Sequence, residues 1–404
     1  MKIAMVSEHA SPLADLGGAE AGGQNVHVAE LSAALARRGH DVTVYTRRDD
    51  PRAQPEVFTG AGYRVVHVQA GPPHPLPKDR ILPFLGQFGG YLQREWADDA
   101  PHLVHAHFWM SGLASELAAR THGIPVVQTF HALGIVQHRH EGLADTSPRS
   151  RIRFERLIAA RAAHVVATCS DELVELTRMG VPRYRISVVP SGVDLSRFTP
   201  NGPFDHRTLP HRIVSVGQLV RRKGFDAVIR ALPELPDTEL VIVGGSVGDD
   251  VDDQSELRRL RRIAMEHGVH ERVRLLGRLS RGSLPWLLRS ADAVVCTPWY
   301  EPFGMVALEA MACGKPVVST AVGSMLDTVV DGVTGRLVPR PDPSAIARAV
   351  RPLLEDTTLR DTWGAAGYRR AHDNFSWDRV AEDTLIAYHR GAPARTGNVA
   401  LRAR

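Results

Sequence analysis

The sequence predicts an α/β protein made of two doubly wound units facing each other across a cleft, and three observations carry that prediction. Short runs rich in Val, Ile and Ala recur between helix-like segments, many without polar alternation, as in parallel strands covered on both faces. The pattern restarts in the second half. Between the halves, residues 198–210 (FTPNGPFDHRTLP) interrupt it with Pro, Gly and Asn.

Taken in order, the first-half strand candidates are residues 2–7, 40–46, 63–69, 103–108, 125–130 and 164–169. The intervening segment 25–39 has helical apolar spacing and ends at Gly39, a helix stop. In the second half the candidates are residues 212–217, 239–245, 273–278, 293–298 and 315–320. The expected division is a first domain over 1–200 and a second over 208–375. A helix of about residues 376–390 is able to pack back on the first domain, and 391–404 form a loose tail. Ligands in open α/β sheets bind beyond the carboxyl ends of the strands, so the informative residues belong in the loops that follow strands.

Composition excludes several classes. With 404 residues, 43% hydrophobic and 23% charged, the chain holds two or three full-sized cores rather than disorder. The net charge of +4 is spread along the chain without a basic block, so no nucleic-acid partner is expected. Cys169, Cys296 and Cys313 are odd in number and form no CxxC, which fits a reducing compartment and excludes a disulfide framework or zinc ribbon. No apolar run reaches the roughly 18 residues of a membrane span, and the first apolar run is too short for a signal peptide. The expected location is the cytoplasm. Among 49 basic residues only four are Lys (Lys2, Lys78, Lys223 and Lys315), so a Lys here marks a position where Arg did not serve.

The strongest segment is YEPFGMVALEAMACGKPVV, directly after a strand candidate. A strand, turn and helix start place the amides of Phe303, Gly304 and Met305 at a helix N-terminus, where a phosphate or sugar hydroxyl is favoured. Glu301 sits in the turn and Glu309 about a turn and a half into the helix. Both can face the cleft, as acidic residues do toward ribose hydroxyls in dinucleotide sites. An arbitrary pair of Glu would be surface charge, but EPFG and the small-residue helix around ALEAMACG make poor exposed surface.

The Glu301 to Glu309 spacing, with PFG after the first and EAMACGKPVV around the second, resembles the donor motif of retaining glycosyltransferases of family four. Those enzymes have the GT-B fold, two Rossmann-like domains across a cleft. The resemblance runs through nearly the whole chain: residues 7–48, HAHFWMSGLA, VVQTFHALG and SVVPSGVDLSRFTP are similar to the branch of inositol-phosphate and sucrose-phosphate-synthase-like transferases.

That resemblance implies roles for individual residues. Glu309 holds the ribose hydroxyls of the donor, while Glu301 and the amides after it hold the transferred sugar. Lys223 contacts the diphosphate. The family's second clamp residue, an Arg after the Gly of this segment, is Gln218 here, and Arg221 or Arg222 is left to supply the missing charge. Gly23, in the Gly22–Asn25 loop, approaches the donor phosphates from the first domain, Asn25 contacts the acceptor, and His131 hydrogen-bonds the donor sugar. In the inositol-phosphate branch a Lys, an Arg, a Tyr and a Thr grip a phosphorylated acceptor. Lys78 matches the Lys and Arg149 or Arg151 the Arg, but Phe108 and Ala132 replace the two hydroxyls.

The partners expected are therefore a nucleotide-sugar donor, with UDP foremost, and a small hydroxylated acceptor. A homodimer is left open. No cofactor and no metal is expected, since the His105–His107 and His138–His140 pairs lack the other ligands of familiar sites. Two rival classes stand against the enzyme. A non-catalytic sugar-nucleotide-binding protein stays open through Gln218, whereas a NAD-dependent dehydrogenase is the weaker rival because neither half has G-x-G-x-x-G after its first strand.

Overall fold

The computed structural model describes residues 1–14, 22–142, 145–245, 251–280, 282–339 and 342–392. The expected loose tail from residue 393 onward, and residues 15–21 ahead of the Gly22 loop, lie outside the described residues.

The first sheet contains β1 (Lys2–Val6), β2 (Asp41–Arg47), β3 (Glu56–Phe58), β4 (Arg64–Val68), β5 (Leu103–His107), β6 (Val126–Thr129), β7 (His164–Ala167) and β8 (Ile186–Val188). Their order is β3-β4-β2-β1-β5-β6-β7-β8, parallel except for the β3–β4 pair. The second sheet contains β9 (His211–Val216), β10 (Thr238–Val243), β11 (Val273–Leu276), β12 (Ala293–Cys296), β13 (Val317–Thr320) and β14 (Gly335–Val338), in the order β11-β10-β9-β12-β13-β14. Strands β3, β8 and β14 were not anticipated. All three are three or four residues long and lie at sheet edges, where only one neighbour and partial burial leave no apolar run to read.

Strand β1 shows why the central strands are continuously apolar. Ile3 and Met5 pack with Leu31 and Leu35 of the helix Gly23–Arg37, while Ala4 and Val6 pack with Leu92 and Trp96 on the opposite face. Burying one such large side chain contributes about 1.5–3 kcal/mol, so both faces select for hydrophobes. The chain then crosses back: the Val193 amide donates to the Phe375 carbonyl at 2.8 Å, and the helix Trp377–Gly391 lies on the first domain. Ser376 caps that helix, and Tyr388, buried with Ile3 and Met5, hydrogen-bonds His105 across 2.8 Å. The exposed ion pairs Arg37–Asp378 and Arg38–Glu382 add little beyond this packing.

Candidate active site

The second domain contributes the loops that follow β9 and β12. After β9, Gly217 has a φ of 156°, and the Lys223 chain runs over it so closely that a Cβ there would sit 3.4 Å from Lys223. After β12 the chain turns through Tyr300, Glu301 and Phe303 to Gly304. The left-handed φ of 66° at Gly304 starts the helix Met305–Ala312. The Trp299 amide donates to the Arg222 carbonyl at 2.8 Å and ties the two loops together.

Lys223 Nζ meets Glu301 Oε2 at 2.5 Å. Burial pushes the Glu301 carboxyl toward its neutral form, but the charge and hydrogen bond of Lys223 outweigh burial and hold it below the usual carboxylate range. The other oxygen of Glu301 accepts from the Phe303 amide at 3.3 Å and, more weakly, from the Gly304 amide at 3.5 Å. The two amides expected to meet a sugar thus face the buried Glu301 carboxylate at the start of the helix. Glu309 is half-buried in the same helix.

A cavity of about 320 Å³ gathers these groups. Its wall includes Gly217, Gln218, Arg222, Lys223, Glu301, Phe303, Gly304, Met305 and Glu309, and Gly22 and Gly23 close it from the first domain. Gly23 is packed so tightly that an added Cβ would lie 3.0 Å from the Phe303 ring. Arg222 is the member of the Arg pair that lines the cavity, with Arg221 exposed outside it. Its guanidinium lies 3.4 Å from Gln218 Oε1, 5.4 Å above the Tyr300 ring and 4.0 Å from Glu141 of the first domain. Gly244, Gly245 and Arg278 also line the cavity and were missed. The signal was present, since each follows a strand of the second sheet.

On the first-domain side His131 follows β6 with a left-handed φ of 62° and is buried, 2% exposed. Its Nε2 lies 2.8 Å from His107 Nδ1, and its ring stacks on Phe303 with centroids 5.3 Å apart. A smaller cavity places His131 with Glu172, Tyr300, Glu301 and Pro302. Burial raises the Glu172 carboxyl to about 7 despite two hydrogen bonds from Thr168. Glu172 and Tyr300, whose hydroxyl donates to Glu141 at 2.9 Å, went unnoticed in the sequence because isolated Glu and Tyr residues carry no spacing signal.

Several residues expected at the acceptor are engaged elsewhere. Asn25 accepts from the Gly22 amide at 3.0 Å and donates to the Ser11 carbonyl at 2.9 Å, closing the helix start rather than facing the cavity. Arg151 is buried, paired with Glu155 at 2.8 Å, and also donates to Gln137, Ser147 and the Ala132 carbonyl. Its charge is neutralised where it sits, so it braces the loop after β6. Phe108, with a φ of 78°, is buried between the His9 ring and the Arg151 guanidinium. Lys78 is half-buried in a short helical turn after β4 and Arg149 is exposed, and neither lines the two cavities.

Two parallel-sheet α/β domains whose strand ends share one polar cleft define a protein of GT-B type. Residues 21–197 match the family model described as Glycosyltransferase Family 4, and residues 204–370 match that of Glycosyl transferases group 1. A D-inositol 3-phosphate glycosyltransferase of Xylanimonas cellulosilytica is 38% identical, with 98% of each chain covered. The sucrose-phosphate synthase structure from Thermosynechococcus elongatus superposes with a TM-score of 0.88 at 31% identity, covering 96% of this chain and 98% of that one. Anabaena HepE, solved with UDP and glucose, shares the fold at a TM-score of 0.74 and 18% identity, covering 96% of this chain and 99% of its own. The chain belongs to glycosyltransferase family four and is a glycosyltransferase.

Proposed function

We propose that this glycosyltransferase is a retaining hexosyltransferase that moves a hexosyl group from a nucleotide-diphosphate sugar, a UDP-hexose, to a small hydroxylated acceptor. The observation that carries the reading is the single cavity that holds Lys223, Glu301, Glu309 and the start of the helix Met305–Ala312 under the Gly22–Gly23 loop. Lys223, with Arg222 beside Gln218, meets the diphosphate, Glu309 the ribose, and Glu301 and His131 the sugar. Among the described residues the cavity's Glu301 is tied to Lys223 and Glu309 is assigned to the ribose, so a same-face displacement is proposed in which the leaving diphosphate accepts the proton of the acceptor hydroxyl. The enzyme then contributes orientation and electrostatic stabilisation. No metal is assigned a role, since Lys223 and Arg222 are proposed to neutralise the diphosphate where other enzymes use a divalent ion. The free, buried Cys169, Cys296 and Cys313 support a cytoplasmic place of action.

An unphosphorylated polyol acceptor is favoured by the commitment of Arg151 to Glu155 and by the apolar Phe108 and Ala132. A second reading, an inositol phosphate acceptor, is favoured by the 38% identity to a protein named for that activity. A donor panel of UDP-, GDP- and ADP-hexoses crossed with inositol phosphate, fructose 6-phosphate and free polyols separates them, with products read by mass and anomeric configuration by NMR. Transfer from a UDP-hexose with retention, unaffected by a chelator, is expected. Binding of none of the donors would sink the reading, and transfer to the phosphorylated acceptors alone would select the second.

A further inference from the structure

Beneath the cleft the first domain buries four histidine rings in contact: His27, His105, His107 and His131. His105 has both nitrogens engaged, Nδ1 with Tyr388 and Nε2 with Thr129, each at 2.8 Å. His107 and His131 have only each other. Their rings lie within 16° of parallel, and His107 Nδ1 faces His131 Nε2 at 2.8 Å. The outer nitrogens, His107 Nε2 and His131 Nδ1, are buried with no hydrogen-bond partner among the described residues.

Burial holds both imidazoles well below their ordinary pKa, so each is neutral near pH 7. A neutral imidazole carries one N–H and one bare nitrogen. Only one proton lies between the rings, which leaves two arrangements for the outer nitrogens. If His131 donates, His107 Nε2 carries an N–H sealed inside the core. If His107 donates, the bare nitrogen is sealed inside and the unpaired N–H sits on His131 Nδ1. An orphaned buried N–H is the rarer and costlier of the two, so it belongs on the ring that borders a cavity, where a ligand that displaces a neighbour can meet it. That ring is His131, whose Nδ1 is covered but which lines the cavity shared with Glu301, whereas His107 is fully buried and lines neither cavity.

We propose that His107 is a positioning residue for His131: it donates from Nδ1 to His131 Nε2 and so fixes His131 as a neutral Nδ1–H donor toward an oxygen of the transferred sugar. The surroundings support a held geometry. A left-handed backbone at a non-glycine residue is strained and persists where neighbours over-determine it. At His131 those neighbours are His107 on one side and the Phe303 ring on the other. The identity of the ligand oxygen rests on the hexosyl-transfer reading; the direction of the His107–His131 bond does not.

The test has two arms on the full chain. Long-range proton–nitrogen correlation on histidine-labelled protein near pH 7.5, with His131 assigned by its loss in His131→Gln, is expected to show Nδ1 protonated and Nε2 bare. The reverse pattern would overturn the proposal. In the second arm His107→Phe keeps the ring but removes the donor, while His107→Asn restores an amide N–H near the Nδ1 position. With the donor that the panel finds active, His107→Phe is expected to lower kcat about tenfold, the scale of one hydrogen bond, with UDP affinity changed less than twofold. His107→Asn is expected to recover most of that loss. Equal losses in both variants would mark a packing role and overturn the proposal. Should no donor be active, the hexosyl-transfer reading fails while the correlation arm still decides the bond direction.

Discussion

The two walls of the cleft meet a ligand with opposite electrostatics. The second-domain wall is charged, with Lys223 against an ionised Glu301, and with Glu309 and Arg222 in the same cavity. The first-domain wall rests on neutral imidazoles, because burial strips the proton from His27, His105, His107 and His131, with the ionised Glu175 at its edge neutralised by Arg139 and Arg178. Glu172 and Glu301 line one small cavity, yet burial lifts Glu172 to about 7 while Lys223 holds Glu301 below its usual range. The difference teaches that one domain lines the cleft with ion-paired charges while the other packs uncharged imidazoles beneath it, which avoids desolvating a second set of charges.

The largest effect is expected where the charged wall loses its cation. Lys223→Ala leaves Glu301, which is 8% exposed, without its ion pair. Breaking a buried pair costs about 3–5 kcal/mol, so thermal stability should fall and the Glu301 carboxyl should take up a proton at higher pH. Loss of a charge-assisted contact should weaken UDP binding roughly 10- to 100-fold, measured by calorimetry. Unchanged affinity would show that the charged wall does not hold the diphosphate.

The neutral wall should reveal itself through pH. His27 is lowered to about 4 and His105 to about 3 by burial, against 6.5 when free. Below pH 6.5 the unfolded chain takes up protons that the folded chain refuses, so stability falls as pH drops from 6.5 toward 4. The loss from His27 alone is on the order of 3 kcal/mol at pH 4. Because Glu172 titrates with the opposite sign, the check is differential: His27→Gln should remove the His27 share of the acid loss, and an unchanged pH profile of the melting temperature in that variant would break the comparison.

Glu172 gives the opposite sign and an effect of the same size as that of His27. Its folded value of about 7 lies above the ordinary 4.5, so the folded chain keeps a proton that the unfolded chain releases, and stability falls as pH rises from 4.5 to 7. Glu172→Gln keeps an acceptor for Thr168 and removes the titration. It should raise the melting point above pH 7, by about 3 kcal/mol of stability, and leave it unchanged near pH 4.5.

The charged wall was legible because it is local in the chain. Glu301, the Gly304 turn and Glu309 fall within one strand–turn–helix passage, and Lys223 follows the Gly217 turn by six residues. The neutral wall is assembled from a distance. His107 pairs with Thr129 in the β5–β6 register, which brings His131 beside it only once the two strands are known to be neighbours. Without that register the His105–His107 spacing could be weighed only against a metal site. Arg151 was misread toward the acceptor although Glu155 stood four residues on, an ion-pair spacing within one helix turn. The scarcity of Lys pointed to Lys223 in the cavity, but equally to Lys78, which lines neither cavity.

The finest test is where the walls touch. Gly23 opens the helix Gly23–Arg37, and a Cβ added there would stand 3.0 Å from the Phe303 ring, close enough that the ring must yield by a few tenths of an ångström. Phe303 in turn stacks on His131, so the shift travels from the charged wall to the neutral one. In Gly23→Ala the helix gains up to about 1 kcal/mol of intrinsic propensity, so the melting temperature should hold or rise slightly. Turnover should nevertheless fall a few-fold, because reacting groups displaced by fractions of an ångström lose alignment. Phe303→Leu removes the ring edge that the added methyl would press. If the contact is the cause, the double variant should lose less than the two single variants combined. Simple additivity would mean that the walls act independently at this point.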